Sequence, residues 1–503
     1  MGDENIVIVL DCGSTNLRAI AVNRYGKLVS KAKRSNNTSV QPGSSNWRIW
    51  DLEDIWSKLS ASLREITSEI PESRIRGIIV ATWGVDGAPI QPDGSLAYPV
   101  ISWQCDRTLE TVEAVSRKLD PWRIHQISGN QTMSMNALYK LVWLREHCPG
   151  ALEEKNKWLM MPGLIELRLG ARPHIDTTSA STMMALSLGD RDWSEKLLEL
   201  AGVDGGFFPD LVSPGEPVGE VSTEASRETG LRAGLPILAG GHDTQFAILA
   251  SGAGEEEAAL SSGTWEILAQ RTREFTPTKD GFEGGMIWET DIFEGTWDPQ
   301  LLMMGSAVLE WVKSTLFPEV PESEYEPLIR EGSGVPPGSN ETMLVPSFVR
   351  DSGPTRRYGT EGTMLGIDLR TGRGEVYRAA VEGLSFQLRY ALEILCRSTG
   401  VRAREIRVVG GGSRNELWNQ IRSDVTGLPV VVSSHSEATV LGAAITAFKG
   451  LGEFDTIDEG LESVEMEYSR YTPSDQETRY ERLYDRYRSL PEMLEPFYRE
   501  KDD

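Results

Sequence analysis

Apolar residues follow two rhythms along the chain. Short unbroken runs, such as Asn5-Ile-Val-Ile-Val-Leu10, Arg76-Gly-Ile-Ile-Val-Ala81, Leu235-Pro-Ile-Leu-Ala239, Glu405-Ile-Arg-Val-Val409 and Pro429-Val-Val-Val432, predict strands covered on both faces. Longer stretches with apolar positions three and four apart predict helices. Over 51–70 those positions are Ile55, Trp56, Leu59, Leu63 and Ile66, behind an acidic start suited to the helix dipole. Helices are expected likewise over 134–146, 162–169, 375–396, 416–426 and 439–448. The runs 17–23 and 28–32 follow the first strand across short turns, which predicts a three-strand meander. A second meander is expected to open with the apolar run 245–250 and to continue through 258–270. Strands alternating with helices make the chain α/β. From Glu477 a charged helical tail is expected at the periphery.

The chemistry-bearing residues gather at strand ends. Asp11-Cys-Gly-Ser-Thr-Asn16 closes the first strand and offers N–H groups and hydroxyls to phosphate oxygens, with Arg18 just beyond and Asp11 able to hold a hydrated Mg²⁺. An ordinary hairpin turn is the alternative, because no Walker-type Gly-x-x-x-x-Gly-Lys is present. Ser261-Ser-Gly-Thr264, again followed by an apolar strand, echoes this turn. The echo suggests a duplicated fold with a phosphate cradled between the copies, and a boundary near Gly240. Thr82-Trp-Gly-Val-Asp-Gly87 lies at the carboxyl end of a strand, where open α/β sheets bind ligands. Gly410-Gly-Gly-Ser-Arg-Asn415 lets backbone lie flat against a ligand, or simply tightens a strand-to-helix turn. Around Trp103, Asp106 and Arg107 the mix of indole and charge suits a sugar; a surface turn with an Asp106–Arg107 pair suits it equally. Asp176, in a hydroxyl-rich stretch, reads as a helix cap. After the run 235–239, a Gly240-Gly241 turn is expected to hold Asp243 rigidly, as a catalytic base requires, with His242 beside it in a packing or orienting role.

Composition narrows the partners. A chain of 503 residues exceeds one compact core, and a net charge of −24 argues against nucleic acid or an anionic membrane as partner. Anionic substrates must then enter through local basic groups, helix dipoles or a metal ion. The cysteines Cys12, Cys105, Cys148 and Cys396 are scattered, which suits free thiols in a reducing compartment. With no apolar run of membrane-spanning length and an acidic Met1-Gly-Asp-Glu-Asn5 opening in place of a signal peptide, a cytoplasmic location is expected.

Several motifs together resemble the FGGY family of carbohydrate kinases. They are Gly241-His-Asp-Thr-Gln245, Ser261-Ser-Gly-Thr264, Gly410-Gly-Gly-Ser-Arg-Asn-Glu-Leu-Trp-Asn-Gln420, and Gly362-Thr-Met-Leu-Gly-Ile367 with Glu375-Val-Tyr-Arg-Ala-Ala-Val-Glu382. A further signature over 135–146, with Lys140 and Trp143, departs from the family at Ala137. The resemblance implies an actin-like ATPase (ribonuclease H-like) duplicated two-lobe fold with a central cleft. It implies a sugar-binding lobe over 1–240, an ATP-binding lobe over 241–460 and a helical tail over 461–503. By the same resemblance Asp243 is the catalytic base and Asp11 the Mg²⁺-associated carboxylate. Thr15, Arg18, Gly263 and Thr264 lie along the ATP phosphates, Gly13, Ser14, Asn16 and Ser306 belong to the same nucleotide site, and Gly411, Gly412 and Asn415 lie against adenosine. Trp83, Gly84, Asp86, Trp103, Asp106 and Arg107 would line the sugar, together with Asp243. Within the family, the stretches 100–108, 138–144, 241–247 and 260–268 are similar to the branch acting on L-fuculose, and 82–86 is similar also to the branch acting on L-rhamnulose. Ribulose and xylulose stay open as substrates, as does a homodimer. A catalytically silent sugar sensor and an actin-like filament or chaperone ATPase are the readings from other classes.

Overall fold

A computed structural model describes residues 5–321, 323–350, 352–435 and 437–499. The acidic opening 1–4, Asp351 in the loop expected over 350–362, and the tail residues 500–503 lie outside the described residues. The chain forms two compact units. The first takes in Met1–Ala250, Trp288–Trp297 and Glu437–Glu465; the second takes in Ser251–Ile287, Asp298–Ser436 and Met466–Asp503. The expected segments 1–240, 241–460 and 461–503 are continuous, whereas each unit gathers three pieces of chain.

In the first unit, Ile6–Cys12, Asn16–Asn23 and Leu28–Ser35 form the antiparallel meander. Ile75–Thr82 lies parallel to Ile6–Cys12, Pro236–His242 lies parallel beyond it, and Pro217–Glu220 closes the edge antiparallel. The first strand is apolar throughout because both its faces are covered. Ile6, Ile8 and Leu10 pack with Ile55, Leu59 and Leu63 of the helix Leu52–Glu69, while Val7 and Val9 pack with Val440, Ala443 and Ala447 of the helix Ala438–Gly450. Asp51 caps the helix Leu52–Glu69 by accepting from the N–H groups of Glu53 and Asp54.

Six strands of the second unit repeat this plan, in the order Trp297–Met304, Trp265–Ala269, Ala258–Ser262, Ile406–Val409, Val430–Ser433, Tyr468–Tyr471. The first three are antiparallel, the next two parallel to Ala258–Ser262, and the edge is again antiparallel. One detail differs. The edge strand precedes its neighbour in chain order in the first unit and follows it in the second. Two copies of one sheet plan constitute the duplication expected from the paired hairpins and the actin-like α/β fold implied by the family resemblance.

Three local expectations are corrected. The run 245–250 belongs to the helix Asp243–Ala250 and opens no meander. A short apolar run with both sides buried reads the same as strand or helix, so periodicity could not decide it. Gly240 and Gly241 lie within the strand Pro236–His242, which shifts register between Leu238 and Gly241, and so make no turn. The tail helix Glu477–Arg499 is not peripheral: Tyr480, Tyr484 and Tyr487 are buried in the core of the second unit, with Phe386 ring centroids 5.2–6.2 Å away. Its charged residues dominate the composition, yet the tyrosines recur at helical spacing on one face. Among the described residues no helix is long and apolar enough to cross a membrane.

Candidate active site

Asp243 is the first residue of the helix Asp243–Ala250, directly after Pro236–His242. That strand is pinned at two peptide groups. The N–H of Gly240 donates to Glu166 Oε1 at 2.7 Å, and the N–H of His242 donates to Thr178 Oγ1 at 2.9 Å. Both acceptors are themselves held. His174 Nε2 lies 2.8 Å from Glu166 Oε2, both side chains buried, and the Thr178 hydroxyl donates to Asp176 Oδ1 at 2.5 Å. Asp176 also caps the short helix Thr177–Ser181 through the Ser179 N–H, in keeping with its reading as a cap. Glycine is required where the strand passes: a Cβ at 240 would stand 1.8 Å from the Val80 carbonyl oxygen, and one at 241 would stand 2.6 Å from Thr178 Oγ1. The backbone carrying Asp243 therefore has little freedom.

The carboxylate is recessed, with 30% of the Asp243 side chain open. Burial pushes its pKa up to about 6, against the pull of His242, and the negative charge of Asp11 adds to the rise. His242 Nε2 lies 3.4 Å from Asp243 Oδ1, and His242 Nδ1 lies 2.9 Å from Glu289 Oε2. Burial alone would lower the imidazole pKa; the carboxylates of Glu289 and Asp243 outweigh it and carry it to about 9. An ionised, reachable carboxylate near neutral pH suits a proton acceptor.

Asp11 and Arg18 are cross-strand partners in the first hairpin, and their side chains form an ion pair; Arg18 Nη1 also reaches Glu437 Oε2 at 2.5 Å. Burial raises the Asp11 pKa above the ordinary range, opposed by Arg18 and aided by Glu437. In the turn, the Gly13 N–H donates to Asn16 O at 2.8 Å, while Asn36 donates to Gly13 O and Thr15 O at 2.9 and 2.8 Å. Thr15 is exposed, and Ser14 and Asn16 are half-buried. A Cβ on Gly13 would meet only Asn16 O, at 3.4 Å, so packing does not demand glycine there.

In the second unit the equivalent hairpin turns at Gly263 and Thr264, with the Gly263 N–H donating to Trp265 O at 2.9 Å. The carbonyls of Gly263 and Thr264 accept from the N–H groups of Ser306 and Ala307, at 2.8 and 3.2 Å, which locks the hairpin to the start of the helix Ser306–Leu316. The Ser306 N–H is thus committed to the hairpin. Gly410 has φ of 92°, and Cβ atoms at 410 and 412 would stand 2.6 Å from Ser262 O and 2.2 Å from Ser262 Oγ. Gly411 differs: it is exposed, and an added Cβ meets nothing within 4 Å. Asn415 caps the helix Glu416–Thr426 by accepting from the Trp418 N–H and donates to Tyr377 OH at 2.8 Å, so its side chain serves the fold. Beneath these turns the buried Arg422 pairs with Glu266, and Ser262 Oγ joins both at 2.7 Å. This network escaped the sequence because its members stand 156 residues apart.

On the sugar side expected from sequence, Asp86 is fully buried. Its Oδ1 pairs with Lys140, and its Oδ2 accepts from Trp50 Nε1, Trp83 Nε1 and the Trp103 N–H at 2.6, 2.8 and 3.1 Å. The carboxylate thereby organises the loop from within. Val85 between Gly84 and Asp86 has φ of 63°, an uncommon state for a β-branched residue. It is clamped by Thr182 Oγ1 on its N–H and Lys140 Nζ on its carbonyl, at 2.8 and 3.0 Å. Trp103 keeps 37% of its surface exposed and Asp106 is exposed. Arg107 instead turns inward, 4.6 and 5.2 Å from the Trp47 and Trp143 ring centroids, and donates to Gln41 Oε1 at 2.7 Å. Its role is bracing, and the surface pair with Asp106 gives way to this packing. The tryptophans at 47, 50, 83 and 143 were the available signal for this cluster, since each places its indole against a charged group or another ring, while Trp103 joins through its backbone N–H.

Profiles of the N-terminal and C-terminal domains of the FGGY family of carbohydrate kinases match residues 6–250 and 258–451. The L-fuculokinase of Escherichia coli (strain K12) is 38% identical over 470 residues, covering 93% of this chain and 98% of that protein. The L-fuculokinase of Haemophilus influenzae is 34% identical over 476 residues, with 93% and 100% covered. The crystal structure of xylulose kinase from Rhodospirillum rubrum matches with a TM-score of 0.87 at 23% identity, over 98% of this chain and 100% of that one, a likeness of fold.

Proposed function

The chain belongs to the FGGY family of carbohydrate kinases, and from that premise we propose that it phosphorylates L-fuculose at the primary C1 hydroxyl, with Asp243 as proton acceptor. ATP is the phosphoryl donor of this sugar kinase. The observation that carries the catalytic role is the rigidly pinned, partly open Asp243 carboxylate, with its pKa near 6. As the sugar oxygen bonds to the γ-phosphorus, its proton passes to Asp243 and the bond to ADP breaks. Phosphoryl transfer asks chiefly for such positioning and charge stabilisation. Gly13 to Asn16, Arg18, Gly263, Thr264 and Ser306 would steady the phosphates, and Gly411 and Gly412 would lie against adenosine. The absence of any packing demand for glycine at 13 and 411 supports those places, since close approach of a ligand is one reason for a missing side chain.

Asp11 would hold Mg²⁺. The donor set fits: one buried carboxylate close enough to Asp243 for their charges to oppose each other, and, among the described residues, no closed cage of three or more His, Cys, Asp or Glu. Mg²⁺ typically uses one or two carboxylates, completed by waters and substrate phosphates. When bound it neutralises charge on the transferring group. Trp83, Gly84, Trp103 and Asp106 would line the sugar, with Asp86 shaping their loop from below. The two L-fuculokinases, similar along nearly the whole chain, support L-fuculose.

Coupled ADP release over a panel of L-fuculose, L-rhamnulose, ribulose and xylulose tests the substrate; L-fuculose is expected to have the highest kcat/KM, and a clear preference for another sugar overturns it. Asp243→Asn is expected to lose at least about 10²–10⁴-fold in turnover while still binding ATP. Turnover near that of the parent would remove Asp243 from the role.

A further inference from the structure

Glu289 comes from the strand Ile287–Thr290, far along the chain from Asp243, yet its carboxylate lies in the same cluster. It is 3% exposed, and His242 Nδ1 and Gln245 Nε2 lie 2.9 and 3.0 Å from its Oε2. An ionised carboxylate only accepts, so the ring proton facing it sits on Nδ1. In a neutral ring that leaves the Nε2 lone pair pointing at the Asp243 carboxylate 3.4 Å away, an electrostatic clash. A second proton on Nε2 turns the clash into attraction on both sides of the ring.

We propose that Glu289 and His242 are positioning residues for Asp243: Glu289 orients the imidazole and holds it cationic, and the imidazolium fixes Asp243 Oδ1 and keeps the carboxylate ionised, leaving the other oxygen for the sugar hydroxyl. The inference rests on Asp243 as proton acceptor. Glu289, Asp243 and Asp176 are the carboxylates facing His242; His242 and Asp11 are the charged groups facing Asp243, and Asp11 is paired with Arg18, which Glu437 also holds. The rise of His242 to about 9 agrees with this arrangement.

The test uses the full chain as wild type, Glu289→Gln and His242→Gln. It reads kcat/KM from pH 5.5 to 9.5 together with imidazole ¹⁵N NMR titration, which is tractable with 5 histidines. In the wild type His242 should stay cationic up to about pH 9. In Glu289→Gln it should lose its proton at least about one pH unit lower, and in His242→Gln, where the cation is absent at every pH, the acid limb of kcat/KM should move up by about half a unit or more, because a lost cation favours protonated Asp243. A His242→Gln profile that differs from wild type only in height, or an unchanged His242 titration in Glu289→Gln, overturns the proposal, since a purely structural role scales activity without moving the limb. If Glu289→Gln fails to fold, the His242→Gln profile decides alone. An inactive Asp243→Asn combined with a His242→Gln profile of unmoved acid limb sinks the positioning role only; an active Asp243→Asn sinks the base assignment and this proposal with it.

Discussion

His242 owes its charge to its neighbours, and that charge is linked to folding. Its pKa is raised in the folded state, so the stability it contributes is complete below about 6.5 and is lost as pH climbs through about 9. A shift of this size corresponds to on the order of 3 kcal/mol. The thermal midpoint of the wild type is therefore expected to fall between pH 7 and pH 9.5, and the fall is expected to flatten in His242→Gln. Equal slopes in the two proteins, measured by scanning calorimetry, would show that the ring titrates alike folded and unfolded. At this scale sequence reasoning singled out Asp243, Asp11 and Arg18 as candidates, because a carboxylate or guanidinium at a strand end is visible as a type and a place. It reached Asp86 as a residue but not its surroundings. Nothing local announces that Trp50, Trp83, Trp103 and Lys140 will all converge on one carboxylate.

The strand Pro236–His242 and the turn at Gly410 to Asn415 illustrate two different uses of glycine. At Gly240 the neighbouring strand leaves no room, with Val80 O 1.8 Å from an added Cβ. Gly240→Ala is expected to push the strands apart and to destabilise the first unit by about 3 kcal/mol, the upper end of the usual cost of overpacking a core. Gly411→Ala meets nothing within 4 Å, so its unfolding midpoint should match that of the wild type while KM for ATP rises. Urea unfolding and ATP kinetics on the two variants check the pair; a destabilised Gly411→Ala, or one with unaltered KM, would deny that glycine is kept there for a ligand. Element types were readable wherever the period was long enough, as over Leu52–Glu69. They were misread at 245–250, where a handful of apolar residues satisfies either period.

Across the whole molecule, one sheet plan is used twice, and pieces of chain distant in sequence complete each unit. The helix Ala438–Gly450 supplies Val440, Ala443 and Ala447 to the first unit, and the helix Glu477–Arg499 supplies Tyr480, Tyr484 and Tyr487 to the second. Removal of the chain from Glu477 onward should therefore unfold the second unit rather than trim it. With burial of each aromatic contributing about 1.5–3 kcal/mol, the three together are comparable with the usual margin of about 5–15 kcal/mol. A truncated protein that keeps a wild-type thermal midpoint would contradict this. With a net charge of −24, the overall field opposes an anionic nucleotide, so under the proposed assignment a few placed cations such as Arg18 would meet the phosphates.

The sequence by itself determined the α/β class, the duplicated hairpins and the kinship with sugar kinases. Burial on both faces, turn chemistry and ordered motifs are all written within short stretches of chain. Tertiary structure alone decided which groups act together. Glu289 meets His242 from 47 residues away, Glu166 meets Gly240 from 74, and Lys140 meets Asp86 from 54. Such partners are brought together by sheet order and by the packing of loops over strand ends. Asp243 was legible as a carboxylate at a strand end; its pinned backbone and the charge of its neighbour exist only once the chain has folded.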